Sequence, residues 1–224
     1  MTDFSHLTRE LENVITPRLT FRSVRPVDGW DLFDATKSDS FNRFLSWARP
    51  TDAYQVVARM EAISEAHLRG DICAMSAIHR ESGRWVALFR FLPYRPEPSI
   101  VEISLWIHSD FHHDSLGWEI TRSLVDRAFQ ATTMPLMLAA SCQENRPAQR
   151  LLQSCGFSYH STVPRPHEDG FPLHLFEYRQ TRAEWEASLL TRSETRKTPA
   201  IATGPARMGD LAANRDSFKA VSGK

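Results

Sequence analysis

The stretch from residue 100 to residue 156 alternates between strand and helix patterns, and no other feature restricts the possible folds as much. Ile100 to His108 is rich in β-branched and aromatic residues, which predicts a strand. Leu116 to Ala131 repeats its apolar residues at helical spacing and predicts an amphipathic helix. The apolar run Leu136 to Ala140 predicts a buried strand, and Asn145 to Ser154 predicts a second helix. This order of elements is typical of an α/β protein.

The residues before this stretch add further strands and two helices. Cys73 to His79 and Arg84 to Leu92 are strand candidates, joined by a glycine-containing turn, so with the next strand they predict an antiparallel meander. A first strand is predicted between Val14 and Arg25. Helices are predicted from Asp28 onward and over Ala53 to Leu68. The fold class is therefore a mixed α/β (α+β) sheet with flanking helices.

The chain is predicted to form one domain. Phe157 to Thr162 and Leu173 to Arg179 predict a final hairpin. Beyond about Leu190, small and polar residues dominate, and such a composition does not bury enough apolar surface to offset ordering entropy. We therefore assign residues 1–12 to an N-terminal extension, 13–188 to the domain and 189–224 to a disordered tail.

Composition excludes several classes of partner. Lys and Arg total 27 and Asp and Glu total 27, so no overall charge attracts nucleic acid or an anionic membrane. The cysteines are three and show no C-x-x-C spacing, which argues against a disulfide framework and a zinc site and favours the cytoplasm. No apolar run reaches the length of a membrane span. We expect no nucleic-acid or membrane partner, and the question of a homodimer is left open.

Four segments carry a family resemblance, in the order in which they occur. They are Thr16 to Arg22, Phe44 to Trp47, Val101 to Phe111 and Glu144 to Phe157. Together they resemble the GCN5-related N-acetyltransferase (GNAT) superfamily, in the branch of the RimJ/RimL ribosomal-protein N-terminal acetyltransferases. The fourth segment is the most specific, because it matches the pattern E-N-x-x-(S/A)-x-R-(V/L)-L-x-x-x-G-F nearly position for position. The resemblance covers roughly Asn13 to Trp185.

The resemblance implies a fold and a cofactor site. The GNAT fold is a twisted, mostly antiparallel sheet whose central parallel strands, here Val101 to His108 and Leu136 to Ser141, splay apart around the pantetheine arm of acetyl-CoA. The pyrophosphate would lie at the N-terminus of the helix that begins near Leu116, where free N–H groups and the helix dipole attract anions. Trp106 and Ile107, at the end of the first of these strands, are expected to bind the cofactor.

The phosphate-binding loop departs from the family pattern, which is Arg or Gln, Gly, any residue, Gly, any residue, then Gly or Ala. The six positions fall on His112, His113, Asp114, Ser115, Leu116 and Gly117, which we take as cofactor-binding candidates. Only Gly117 conforms. A Cβ at His113 or Ser115 is unfavourable where the loop needs positive φ, and Asp114 brings a negative charge. Protonation of His112 or His113 would restore positive charge below about pH 6.5.

The expected reaction needs a proton acceptor for the amine and a proton donor for the thiolate. Glu102 stands where many relatives carry the carboxylate that draws the amine proton, and it is the candidate general base; the alternative is a structural or solvated carboxylate. Relatives take the proton donor from a Ser at the position of Ala148 or a Tyr at that of Leu152, and this chain has neither. Ser141, Cys142 or a histidine remain as substitutes.

Two further signals have competing interpretations. Asn145 is expected to hold the cofactor, and as an Asn at a helix start it also predicts an N-cap; the two roles are compatible. The histidines and acids between His108 and Asp114 contain metal-ligand residue types but match no known metal-site spacing, so we predict no metal.

The sequence therefore predicts an N-acyltransferase that moves an acetyl group from acetyl-CoA to a primary amine, either a protein N-terminus or a small molecule. The altered loop and the missing proton donor are the basis of an alternative hypothesis, in which the chain is a catalytically impaired GNAT-fold module that has a binding or regulatory role. A relative that uses another acyl donor is the third hypothesis.

Overall fold

The computed structural model describes residues 2–44, 49–94, 96–97, 99–112, 114–165 and 173–197, without the side chains of residues 165, 173 and 192–197. His113, residues 45–47 of the second resembling segment, residues 166–172 of the final loop and residues 198–224 of the predicted tail lie outside the described residues. The helices are α1 (Phe4–Glu12), α2 (Asp28–Thr36), α3 (Asp39–Asn42), α4 (Ala53–Leu68), α5 (Leu116–Ala131), α6 (Arg146–Ser154) and α7 (Arg182–Lys197). The strands are β1 (Leu19–Ser23), β2 (Cys73–His79), β3 (Trp85–Pro93), β4 (Val101–Ile107), β5 (Leu136–Cys142), β6 (Ser158–Arg165) and β7 (Leu173–Thr181).

The seven strands form one mixed sheet in the order β1-β2-β3-β4-β5-β7-β6. All neighbouring strands are antiparallel except β4 and β5, which are parallel and are joined through α5. This topology confirms the predicted fold class, including the meander of β2, β3 and β4. The turn between β2 and β3 contains Gly83 at positive φ, as the hairpin prediction required.

Helices cover the sheet on both faces. Side chains of α1, α5 and α7, such as Leu7, Ile120 and Trp185, pack with one face into the larger apolar core. Leu32 of α2 and Met60 of α4 pack with the opposite face into a second core. Residues that alternate along each strand therefore enter different cores, as the two-residue period of a strand requires.

The two ends of the domain differ from the sequence-based boundaries. The helix α1 falls in the segment that we set apart as an extension, yet Phe4, Leu7 and Leu11 are buried in the larger core. His6 of α1 also contacts the carbonyl of Ala131 at 3.0 Å. At the other end, α7 continues past residue 188 to Lys197. Both helices are amphipathic, and α1 buries its apolar side against the sheet.

Asp28 joins α2 to the sheet. The sequence predicts a helix start at this residue, and α2 begins there, but its carboxylate is buried and accepts hydrogen bonds from Arg22 and Ser76 instead of capping the helix. Arg22 meets it at 2.6 and 2.8 Å and the Ser76 hydroxyl at 2.6 Å. A buried carboxylate needs such partners, so this network fixes α2 on β1 and β2.

Candidate active site

The strands β4 and β5 separate partway along their length. They pair at only three positions, Val101 with Met137, Glu102 with Leu138 and Ile103 with Ala139. Beyond Ile103 the edge of β4 that faces β5 has no ladder partner on that strand, although both strands continue. This separation confirms the predicted splay and opens a cleft in the middle of the sheet.

Side chains on β4 point alternately to the two faces of the cleft. Ile103 packs into the larger core on the α5 side, whereas Trp106 packs against the second core beside α4. By the two-residue period of the strand, Glu102 and Ser104 share the face of Trp106. The candidate general base therefore points toward the α2/α4 side, one residue before the strands separate.

The first turn of α5 has no side-chain cap. Ser115 precedes the helix with φ 56° and ψ 14°, the left-handed conformation, and its side chain makes no capping hydrogen bond. No other non-glycine residue among those described has positive φ. The first N–H groups of a helix have no intrahelical acceptor, so those of α5 remain available to a ligand. The loop thus keeps the backbone conformation that glycine usually supplies, although serine occupies the position.

Gly117 allows α5 to approach the end of β4 closely. A Cβ at this position would lie 2.8 Å from Ile107 Cδ1 and 3.3 Å from Leu151 Cδ2. The one residue of the loop that conforms to the family pattern therefore sits where β4, α5 and α6 meet.

The remaining loop residues are placed differently from one another. The ring nitrogen Nε2 of His112 lies 3.0 Å from the carbonyl oxygen of Ile107, so the imidazole contacts the end of β4. The Asp114 side chain is exposed, and its carbonyl accepts a hydrogen bond from Arg18 at 2.7 Å. Leu116 is buried in the larger core, whereas Trp118, in the first turn of the helix, is 47% exposed. The structure thus brings Ile107, His112 and Gly117 together and places the Trp106 side chain on the opposite face.

Asn145 ends the cleft on the β5 side. Its Oδ1 accepts a hydrogen bond from the Ala148 N–H at 3.2 Å, which confirms the N-cap of α6. The turn before α6 is held by Gln149, a residue that the sequence analysis did not single out. The buried Gln149 amide donates to the carbonyls of Cys142 and Gln143 at 3.0 and 2.8 Å.

Three of the positions considered for the proton donor, Leu152, Ser141 and Cys142, have different environments. Leu152 is buried in the larger core. The Ser141 hydroxyl is buried and donates to the Cys142 carbonyl at 3.2 Å. Cys142 is half-buried, and its position two residues after Ala140 places it on the α2/α4 face with Glu102. Burial, reinforced by the charge of Glu144, raises the pKa of the Cys142 thiol above its ordinary value.

Two charged residues near the cleft, the buried Glu177 and the half-buried Arg90, were not predicted. Glu177 of β7 is 4% exposed and pairs with Ala140, so it shares the face of Glu102. Arg90 of β3 pairs with Ser104 and lies on the same face. Each interrupts an apolar strand pattern, Glu177 after Leu173 and Leu175 and Arg90 between two phenylalanines, and such an interruption is the available sequence signal.

Comparison with protein families assigns residues 18–158 to the acetyltransferase (GNAT) domain. This chain belongs to the GNAT acetyltransferase family. Members of this family use acetyl-CoA as the acyl donor. The match includes β1, the separating strands, the α5 loop and α6, which are the elements that form the cleft.

Solved GNAT structures share this fold at low sequence identity. A GCN5-related N-acetyltransferase from Brucella melitensis is 14% identical with a TM-score of 0.68, and the match covers 80% of this chain and 83% of that one. RimJ of Mycobacterium smegmatis, solved with a CoA disulfide, is 14% identical with a TM-score of 0.64, covering 80% and 96%. RimL, the ribosomal L7/L12 alpha-N-protein acetyltransferase solved with coenzyme A, is 10% identical with a TM-score of 0.64, covering 75% and 96%. A comparison with curated proteins found no match.

The residues of this GNAT acetyltransferase fit the donor that its family uses. The cleft between β4 and β5 leaves strand edges open, and the first turn of α5 has N–H groups without a side-chain cap. Among the described residues no helix has the length and apolar character needed to cross a membrane, and no group of three or more His, Cys, Asp or Glu side chains is placed to hold a metal ion.

Proposed function

We propose that this GNAT acetyltransferase transfers an acetyl group from acetyl-CoA to a primary amine, either a protein N-terminus or the amine of a small molecule. The observation that carries the proposal is the position of Glu102, on β4 one residue before the strands separate. A half-buried carboxylate beside the open cleft is suited to accept a proton from an incoming amine.

The donor would be held by two parts of the cleft. The diphosphate is received by the uncapped first turn of α5, with Ser115 in the left-handed conformation and Gly117 in close contact with Ile107. The pantetheine arm lies along the open edges of β4 and β5, with Trp106 and Ile107 at the end of β4 and Asn145 at the turn after β5. Acetyl-CoA supplies an acyl thioester, which a neutral amine attacks.

The chain itself supplies the proton transfers. Glu102 accepts the proton that the amine must lose to become a nucleophile. Cys142 donates a proton to the departing thiolate, because it lies on the same face as Glu102 and its thiol makes only a long hydrogen bond, 3.8 Å, to the Phe44 carbonyl. Cys142 is better placed than Ser141. The Ser141 side chain lies on the opposite face of the sheet, where Phe176, its pairing residue on β7, packs into the larger core.

The support for a particular class of acceptor comes from solved structures with a similar fold. RimL is described as an alpha-N-protein acetyltransferase of ribosomal L7/L12, which favours an N-terminal amine. The fold alone relates that protein to this chain at 10% identity, so small-molecule amines belong in the same acceptor screen.

Calorimetry with acetyl-CoA, followed by a thiol-release assay over an amine panel, tests the proposal. We expect micromolar binding, turnover with at least one amine, and a fall in kcat of about 100-fold in Glu102→Gln with the acetyl-CoA affinity retained. Glu61→Gln, an exposed carboxylate change on α4, serves as the control. Absence of acetyl-CoA binding would support the alternative, a GNAT-fold binding or regulatory module.

A further inference from the structure

A cavity of about 400 Å³ lies between α4 and the sheet, on the face that carries Glu102. Its walls include the apolar side chains of Ile63 and Ile72, the ring of Trp106, and two arginines, Arg59 from α4 and Arg90 from β3. The volume falls within the range of small-molecule sites, and the space is open to solvent on one side. Two cations on opposite walls of such a space are unusual, because they repel each other.

Arg90 is the more deeply placed of the two arginines. One terminal nitrogen donates to the Ser104 hydroxyl at 2.9 Å, and the guanidinium lies 4.4 Å from the centre of the Trp106 ring. Its Nε is buried and has no hydrogen-bond partner within the part of the chain that the structure describes. A buried N–H without an acceptor is costly, so a change of the Arg90 rotamer that lets a ligand oxygen reach the guanidinium would be stabilising.

The charges around the cavity favour an anion. Burial, together with the nearby charge of Arg59, lowers the pKa of Arg90 to about 10, and the carboxylate of Glu102 acts in the opposite direction. Arg90 therefore remains a cation at neutral pH. Among the described residues that line the cavity, two are arginines and none carries a carboxylate.

The register of β3 and β4 relates the arginine to the candidate base. Arg90 pairs with Ser104, and Leu92 pairs with Glu102, so Arg90 and Glu102 are diagonal neighbours on one face. Diagonal positions of adjacent strands lie about 7–8 Å apart. A group bound by Arg90 would thus stand only a few bonds from an amine that Glu102 deprotonates.

We propose that the acceptor is a small primary amine that carries an anionic oxygen group, a carboxylate or a phosphate, and that Arg59 and Arg90 bind this group. The inference rests on the proposed function, because it identifies the amine side of the same reaction. Guanidinium groups bind both kinds of oxyanion through paired N–H donors.

An acceptor series with matched charge tests the inference. The twenty α-amino acids are each compared with their α-amides, which remove the negative charge and keep the amine, and phosphoethanolamine is compared with ethanolamine. Short peptides form a third arm. We expect kcat/KM to be at least about tenfold higher for the anionic member of one of the first two series. Equal rates for the charged and neutral members, or a preference for the peptides, would overturn the inference.

Variants of the two arginines separate recognition from folding. In Arg59→Gln and in Arg90→Lys, we expect the ratio of kcat/KM for the anionic acceptor to that for its neutral counterpart to fall about tenfold, through a higher KM for the anion. Arg69→Gln removes a charge from the end of α4 without touching the cavity and should keep the wild-type ratio. Thermal unfolding checks that each variant is folded.

A measurement without turnover keeps the two proposals distinguishable. Calorimetry with N-acetylated amino acids and N-acetylated phosphoethanolamine, the products of the reaction, reports on the anion site alone. Weaker product binding in Arg59→Gln than in Arg69→Gln supports the anion site even if no acceptor is turned over. If acetyl-CoA binds and neutral amines react while product binding is equal in both variants, the anion site is wrong and the acetyltransferase assignment stands.

Discussion

Arg18, in the first of the four family-like segments, binds Glu119 of α5 through both its side chain and its backbone. The Arg18 Nε lies 2.7 Å from Glu119 Oε2, a terminal nitrogen lies 2.6 Å from the same oxygen, and the Arg18 N–H donates to Oε1 at 3.1 Å. Another terminal nitrogen of Arg18 donates to the Asp114 carbonyl. The residue directly before β1 thus fixes both the start of α5 and the loop that precedes it.

Replacement of Arg18 by Leu should destabilise the fold and weaken donor binding. The Glu119 side chain is only 11% exposed, so the change leaves a buried carboxylate without its cation, and we expect a loss of about 2 kcal/mol in the free energy of unfolding. Urea unfolding measures this loss. Arg69→Leu, which breaks an exposed pair with Asp71, should cost less than about 0.5 kcal/mol. Equal losses in the two variants would contradict the structural role of Arg18.

The same pair predicts how stability depends on acid. Burial alone would raise the pKa of Glu119, but hydrogen bonds from Thr16 and Arg18 and the charge of Arg18 hold it below its ordinary value of 4.5. Because the pKa of Glu119 is lower in the folded protein than in the unfolded chain, its ionised form stabilises the fold at pH values above the unfolded-state pKa. This stabilisation is lost as pH falls through the folded-state pKa. Wild type should therefore lose more unfolding free energy than Glu119→Gln between about pH 6 and pH 3. The exposed Glu61→Gln variant should follow wild type; a Glu119→Gln curve parallel to wild type would contradict the prediction.

Ser115→Gly should stabilise the protein. A residue with a Cβ in the left-handed conformation carries a cost of roughly 1–2 kcal/mol, which glycine avoids, although glycine loses more entropy on folding. We expect a net gain of about 0.5 kcal/mol in urea unfolding and undiminished binding of acetyl-CoA. Ser123→Gly, inside α5, is the matched control and should lose about 0.5–1 kcal/mol. A loss in both variants would show that the left-handed serine carries no strain.

Elements with strong periodicity were predictable, and their bounds agree with the structure. The helices α4 and α5 begin and end where their patterns indicate, because their apolar residues repeat over four turns and Gly70 follows the first of them. The helix α1 was missed, since its nine residues are mostly polar and only Phe4, Leu7 and Leu11 mark its buried side. That side is stabilised by contact with the sheet, which local sequence does not report.

The candidate site was predictable only in part. The separation of β4 and β5 and the place of Glu102 followed from the family resemblance. The face on which Arg90 and Glu177 lie depends on strand register, since a strand residue faces a core or solvent according to how its neighbours pair. The contact of His112 with the Ile107 carbonyl likewise depends on the path of the turn after β4.

Cys142 provides the last prediction, because the family's usual proton donors are absent. Burial raises the pKa of its thiol above the ordinary 9.0, so the thiol stays protonated at neutral pH. The thiol loses the proton that it would donate only as pH rises through this raised pKa. We expect Cys142→Ala to lower kcat about tenfold or more at neutral pH and to remove an alkaline decline in the kcat profile, with the KM for acetyl-CoA little changed. Ser141→Ala changes the neighbouring residue on the opposite face and should keep both the rate and the decline. A kcat for Cys142→Ala within twofold of wild type, with the alkaline decline intact, would assign the proton to another group.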